Sequence, residues 1–332
     1  MVLFDISKRV WAALVLAALP VAAISAAGPA GPDYPTKPIR IVVSFAPGGG
    51  TDIFARAMAL KYTQAWGQPV IVDNRSGGGG NIGSDIVAKA PPDGYTLLLT
   101  TNAPVAINPN LDKVPYDPVR DFTPISQLAV LPFLMSVHTS SPAKNIPELI
   151  AIAKAKKGQL NFAHSGFGGG AHLAGELLKN MAKIDMTAIP FKGGGPVIQA
   201  LAGGQVDLIF LSIFTQMPMV QQKRVRPLGV TSLKRSPVLP DVPAIAETPG
   251  LEGFESDLWY GLLAPPKTDP RIVDKIYQEA KRMLSTGELK TQFEPQGATL
   301  VATSPREFSD TIRKDLAKWG GLIKSANLKA EK

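Results

Sequence analysis

The sequence predicts an α/β protein of two lobes, and three observations predict it. Short β-branched runs alternate with helical patterns at the crossover lengths that parallel sheets require. Three of those runs end in glycine clusters that feed helices. The chain of 332 residues, 45% hydrophobic, is long enough to build two cores.

The first unit shows the pattern most plainly. An apolar strand over residues 39–45 enters Phe45-Ala46-Pro47-Gly48-Gly49-Gly50-Thr51-Asp52, and a helix over residues 52–66 leaves it, stopped by Gly67. Glycines let the backbone turn tightly with no Cβ over their N–H groups. The first N–H groups of a helix lack partners within it and carry the positive end of its dipole, so such a turn suits a carboxylate or phosphate. The plainer reading, a βα connection with Asp52 as N-cap, loses weight because the device recurs. Gly77-Gly78-Gly79-Gly80-Asn81-Ile82-Gly83 follows a strand at residues 70–72, and Ser165-Gly166-Phe167-Gly168-Gly169-Gly170 follows a strand at residues 161–163.

The remaining elements follow in order. A helix over residues 81–90 ends at Pro91-Pro92-Asp93-Gly94, before a strand at residues 96–100. Loop chemistry fills residues 108–118, and an extended run at residues 131–137 opens a second unit. Asn145 and Glu148 form a capping-box pattern before a helix to residue 157, closed by Gly158. A helix over residues 171–181, a strand at 186–191, a helix at 197–201 and strands at 206–211 and 226–231 complete that unit. Residues 236–243 are too proline-dense for regular structure. A strand then begins at Trp259, and two helices close the chain: one from Arg271 with Ile272, Ile276, Tyr277, Ala280 and Leu284 on one face, one capped by Ser304 and Glu307 with Phe308, Ile312, Leu316 and Trp319. The glycine units do not align as sequence repeats.

Composition narrows the function. Lys8 and Arg9, the apolar run of residues 10–24 and Ser25-Ala26-Ala27 form a signal-peptide pattern over residues 1–27, so export with cleavage near Ala27 is expected. With no cysteine, disulfides, thiolate metal sites and a cysteine nucleophile are excluded. The formal charge of +8 comes from scattered basic residues, which favours anionic ligands over nucleic acid. Gly78 to Gly83 satisfies the dinucleotide-binding spacing, but the next strand ends Thr100-Thr101-Asn102 without the required carboxylate. Ser165 lacks the glycine two residues before it that a nucleophile elbow needs, and no acid is placed to orient His138, His164 or His172. No cluster has metal-ligand spacing, and no cofactor is expected.

At this point the sequence resembles a family: the Bug-type solute receptors of tripartite tricarboxylate transporters. The carrying motifs are residues 41–52 and 73–83, Pro92-Asp93-Gly94-Tyr95-Thr96-Leu97, Tyr116-Asp117-Pro118, His172-Leu173-Ala174-Gly175-Glu176-Leu177, Lys192-Gly193-Gly194-Gly195-Pro196, Gly203-Gly204-Gln205-Val206-Asp207 and Lys234-Arg235-Ser236-Pro237. The resemblance implies a periplasmic, two-lobed Venus-flytrap binding protein, monomeric and without nucleic-acid partners. It would close on a small organic anion, a mono- or dicarboxylate with aromatic acids included, and pass it to a membrane permease. Presentation to a sensor kinase is the alternative, and a periplasmic hydrolase comes third. With two chain crossovers, lobe one would be residues 33–131 plus 256–332, and lobe two residues 132–255.

Carried over by position, the lobe-one pocket would comprise Phe45, Gly49, Gly50, Thr51, Asp52, Gly79, Gly80, Asn81, Thr101 and Asn102. The lobe-two pocket would comprise His164, Ser165, Gly168, Gly169, Gly170, Phe191, Leu211 and Ser212. Relatives often carry Ser, Tyr and Asp where this chain has His164, Phe191 and Leu211. If Phe191 and Leu211 face the cleft, an ammonium group finds no counter-charge there, and aromatic or longer aliphatic acids are favoured over amino acids. If they point into the lobe core, they carry no such information.

Overall fold

Apolar runs and capped amphipathic helices build two sheets, each covered on both faces. The computed structural model describes residues 34–191 and 194–328; the expected signal peptide and Lys192 with Gly193 lie outside the described residues. In chain order, β1 (Ile39–Val43), β2 (Val70–Asn74), β3 (Thr96–Thr101) and β4 (Thr123–Leu131) enter the first sheet. The second takes β5 (Phe133–His138), β6 (Asn161–His164), β7 (Thr187–Pro190), β8 (Leu208–Ser212) and β9 (Val225–Val230), after which β10 (Leu258–Ala264) and β11 (Thr299–Leu300) return to the first.

The strand orders are β11-β4-β10-β3-β1-β2 and β7-β6-β8-β5-β9. In each sheet the early strands pair in parallel, β1 with β2 and β3, and β6 with β7 and β8. The crossing strands β10 and β5 run antiparallel to both of their neighbours. Helices fill the connections: α1 (Gly50–Trp66), α2 (Asn81–Ala88), the short α3 (Asn108–Leu111), α4 (Ile146–Ala155), α5 (Gly170–Ala182), α6 (Gly194–Ala202) and α7 (Ile213–Gln221). Then come α8 (Pro270–Ser285), α9 (Gly287–Phe293) and α10 (Pro305–Ser325).

Central strands read as continuous apolar runs because both of their faces are buried. Ile41 and Val43 join the core beneath α1 and α8, while Val42 and Leu98 pack on the other face with Trp259 and Phe308. In the second sheet Leu208 and Phe210 face one core, and Ile209 and Leu211 the other. A further apolar seam joins the two sheet units. Leu173 of α5 packs with Ala106 and Ile107, which follow β3, and with Trp319, Leu322 and Ile323 of α10.

Only Pro132 separates β4 from β5, so the first crossing is abrupt. A proline fits there because it has no N–H to leave unpaired where one ladder stops and the next begins. The return crossing is tied to the first through one buried residue, Thr231. Its N–H donates to the Phe133 carbonyl at 3.0 Å, and its carbonyl accepts from Ser256 N–H at 3.1 Å. Its hydroxyl accepts from Phe133 N–H at 2.8 Å and donates to Asp257 Oδ1 at 2.9 Å. Asp257 also accepts from Asn102 through its carbonyl, at 2.9 Å.

Several boundaries differ from the expected ones. The first long helix starts at Gly50, two residues before Asp52, with Gly49 rather than Asp52 as its N-cap. The π-turn Ala103–Ile107, α7, α9 and β11 were not expected. Their apolar periodicity is too short to register, and tertiary packing decides them. The capping residues Asn145 and Ser304 stand where their patterns put them.

The crossing makes a prediction. Burial, which outweighs the Thr231 hydrogen bond, raises the Asp257 carboxyl to about 7, with Glu255 and Asp315 pushing up and Lys318 pulling down. The folded state therefore holds a proton that the unfolded chain has lost, and this contribution to stability declines as pH rises from the ordinary aspartate range through about 7. Asp257→Asn keeps an acceptor for Thr231 and should melt a few degrees above wild type at pH 8, with the gap closing near pH 4. Calorimetric melting across that range checks it, and equal melting at pH 8 contradicts it.

Candidate functional site

Helix N-termini are usually capped by a Ser, Thr, Asp or Asn side chain. Four helices here follow that rule: the side chains of Asn145, Ser212, Asp269 and Ser304 accept N–H groups at the starts of α4, α7, α8 and α10. The helices that leave the three glycine turns do not. Gly49 caps α1, Gly80 caps α2 and Gly169 caps α5, none with a side-chain hydrogen bond. All three begin at the carboxyl ends of parallel strands, where open α/β sheets bind ligands.

The first and third turns have the same backbone. Gly48 at φ 81° precedes Gly49 at φ −77°, ψ 164°, and Gly168 at φ 69° precedes Gly169 at φ −73°, ψ 163°. Each helix then begins on a glycine pressed against an aromatic ring. A Cβ on Gly50 would stand 2.6 Å from the Tyr260 hydroxyl, and one on Gly170 would stand 2.9 Å from Phe133. The two sheet units meet close by, since a Cβ on Gly168 would lie 2.5 Å from Leu111 Cδ1. The second turn uses a different device: Gly77, Gly78, Gly79 and Gly80 all have positive φ, which only glycine adopts in succession.

Among the sequence-derived residues, Phe45, Gly49, Gly50, Gly79, Asn81, Ser165, Gly169, Gly170, Phe191 and Ser212 keep exposed or half-exposed surface. The Phe45 ring lies against Gly80. Asn81 Oδ1 is held by Asn108 Nδ2 at 2.8 Å and the Tyr116 hydroxyl at 3.0 Å. Phe191 donates its N–H to the His164 carbonyl at 2.9 Å.

Others are absorbed by the fold. Thr51 is buried. Asp52, 3% exposed, accepts Gly48 N–H at 2.9 Å and pairs with Arg56 at 3.0 Å. Burial opposes its ionisation, but the Arg56 and Gly48 hydrogen bonds outweigh it and hold the carboxyl below its ordinary range. Thr101 accepts Ala103 N–H, and Asn102 commits its amide to Asp257. Ser212 caps α7. Leu211, 4% exposed, packs in the lobe-two core with Val197, Ile209 and Ala163, so the possibility that it faces the cleft is corrected.

His164 is buried, with Nδ1 2.9 Å from the Gly166 carbonyl, and its ring stacks on His172 at 4.3 Å. His172 takes Gly168 N–H on Nδ1 at 3.0 Å. Burial first, then His164 and Lys179, lower its pKa to about 3, so the ring is neutral with its proton on Nε2. Sequence reasoning missed the supports Tyr260, Phe133, Asn108 and Tyr116. Tyr116 alone carried a signal, as part of a family motif, but nothing in it announced contact with Asn81.

The model of the tripartite tricarboxylate transporter family receptor matches residues 54–328. The chain belongs to this family. Receptors of the family are periplasmic solute-binding proteins rather than enzymes. BugT of Bordetella pertussis is 34% identical over 312 residues, or 93% of this chain and 95% of its own. The solved structure of Rpa4515 of R. palustris with adipate superimposes with a TM-score of 0.76 at 34% identity, covering 89% of the receptor and 99% of that chain. MatC from Rhodopseudomonas palustris with bound malate gives 0.72 at 32% identity, covering 87% and 100%. Among the described residues, no helix is long and apolar enough to cross a membrane.

The turns separate two substitutions that look alike in sequence. A Cβ on Gly49 meets only the Ala46 carbonyl at 3.6 Å, at an ordinary φ. On Gly79, at φ 64°, it is both strained and 3.0 Å from Asn108. Gly49→Val should keep the wild-type melting temperature while weakening carboxylate binding about tenfold, the worth of one charged hydrogen bond. Gly79→Val should cost about 1–3 kcal/mol of stability as well. Unchanged affinity in folded Gly49→Val removes the first turn from the site.

Proposed function

We propose that the receptor captures a small organic carboxylate between two lobes, residues 33–131 plus 256–332 and residues 132–255, and delivers it to the membrane permease of a tripartite tricarboxylate-type transporter. One observation carries the ligand class. Two helices on different sheets, α1 and α5, start at glycine caps of the same geometry with no side chain on their first N–H groups. Each such terminus favours an anion. Charged hydrogen bonds of about 1.5–3 kcal/mol each, less desolvation, reach the roughly 8 kcal/mol of micromolar affinity with a few donors.

A dicarboxylate offers one charged end to each turn. The adipate and malate held by the two R. palustris proteins support that choice. Of the two residues behind the expectation of an apolar ligand, Phe191 alone keeps exposed surface, and it too packs against the core that holds Leu211, so the choice of an aliphatic diacid rests on the R. palustris ligands. We also propose that the mature chain begins near Gly28, works in the periplasm as a monomer, and closes on its ligand.

A thermal-shift panel of mono-, di-, tri- and aromatic carboxylates with glutamate tests the class. Aliphatic dicarboxylates should stabilise most, by about 2.7 kcal/mol at a hundredfold excess over Kd. No shift with any carboxylate, or tight binding of glutamate, counts against the reading. Solution scattering should show a smaller radius of gyration with saturating ligand, and identical curves would refute closure.

A further inference from the structure

The matched backbone of the first and third turns is held by matched side chains. In the first, Gly48 N–H donates to Asp52, four residues on, and Asp52 pairs with Arg56, four residues further. In the third, Gly168 N–H donates to His172, four residues on, and Glu176 follows at the same interval, with its Oε1 3.8 Å from His172 Nε2. The order is the same: turn glycine, buried acceptor, charged residue behind it. The charges are not. Lobe one uses a carboxylate backed by a guanidinium; lobe two uses a neutral imidazole backed by a carboxylate, which Lys179 pairs at 3.0 Å.

In both turns the acceptor withdraws the one glycine N–H that points back toward the helix. The chain is thereby fixed in its positive-φ conformation at that glycine. In the third turn Gly169 N–H also turns back, to the Gly166 carbonyl at 3.3 Å, so the groups left for a ligand are those of the first residues of α1 and α5 themselves. The acceptor must also suit the charge behind it. A carboxylate at position 172 would stand above Glu176 with no guanidinium between, adding unbalanced negative charge under a turn meant for an anion. An imidazole gives the same hydrogen bond without the charge.

We propose that Asp52 and His172 are equivalent positioning residues, each locking one glycine turn in its anion-receiving form, and that His172 rather than a carboxylate is what Glu176 permits in lobe two. This rests on the receptor reading above. Asn offers Oδ1 close to where His172 presents Nδ1, Leu removes the acceptor, and Asp keeps it while adding charge. The three substitutions therefore separate geometry from electrostatics.

The test is calorimetric binding of adipate and malate to the mature protein and to His172→Asn, His172→Leu and His172→Asp. Amide exchange at Gly168 serves as a readout that needs no ligand. His172→Asn should stay within a few fold of wild type with Gly168 protected. His172→Leu should lose about tenfold or more in affinity and also lose that protection. His172→Asp should keep Gly168 protected yet bind about tenfold more weakly, and adding Glu176→Arg should recover much of the loss. A folded Leu variant with wild-type affinity and Gly168 protection overturns the proposal, as does an Asn variant that falls as far as Leu. If the Leu variant fails to fold, the Asn and Asp variants still decide, because equal affinity for the two contradicts the charge argument. Wild-type protein that binds no carboxylate in the panel sinks the receptor reading and this inference with it; wild-type binding with indifferent variants sinks this inference alone.

Discussion

The arrangement depends on donors that the fold leaves without side-chain caps. A helix terminus ordinarily borrows an oxygen from its own cap, and α4, α7, α8 and α10 do so. At α1, α2 and α5 glycine stands in that position and supplies nothing. The missing side-chain caps cost little where glycine stands in for a capping residue, about a few tenths of a kcal/mol each. Three turns of like position leave these N–H groups uncapped while those four helices do not, and this contrast is what supports the proposed carboxylate site.

Everything near the turns serves to keep that backbone exposed and fixed. Tyr260 and Phe133, on the strands that carry the chain between sheets, press against Gly50 and Gly170. Asn108 and Tyr116 grip Asn81. Asp52 and His172 each take the N–H that would otherwise be left over inside the loop. If these turns receive the carboxylate as proposed, their donors are oriented before it arrives, and preorganisation lowers the cost of binding.

Much of this was legible in the sequence, because the glycine clusters, β-branched runs and capping patterns each act locally. The two-sheet α/β class, the helices after Asn145 and Ser304, and the position of all three turns follow from patterns a few residues long. What was not legible depends on distant partners. Nothing around Leu211 distinguishes a cleft residue from a core one; only the packing of β8 against α6 decides it. Asp52 reads as a cap or a ligand contact until Gly48 and Arg56 are both seen to bond its Oδ2. His172, inside a recognisable motif, gave no sign of its bond to Gly168, because a neutral acceptor four residues into a helix has no characteristic spacing.

Thr231 commits its N–H, its carbonyl and its hydroxyl to the two crossings, and Pro132 is the whole of the first linker. The proline ring holds one of that linker's two soft torsions near a single value. A connection so fully bonded, and so stiff at its centre, has little slack to lose. The proposed closure of the lobes would then draw on small torsional changes shared along β4–β5 and the return to β10, not on a loose segment becoming ordered. The conformational entropy lost on capture falls mainly on the ligand, so short flexible acids bear a larger share of that loss than rigid ones of equal charge.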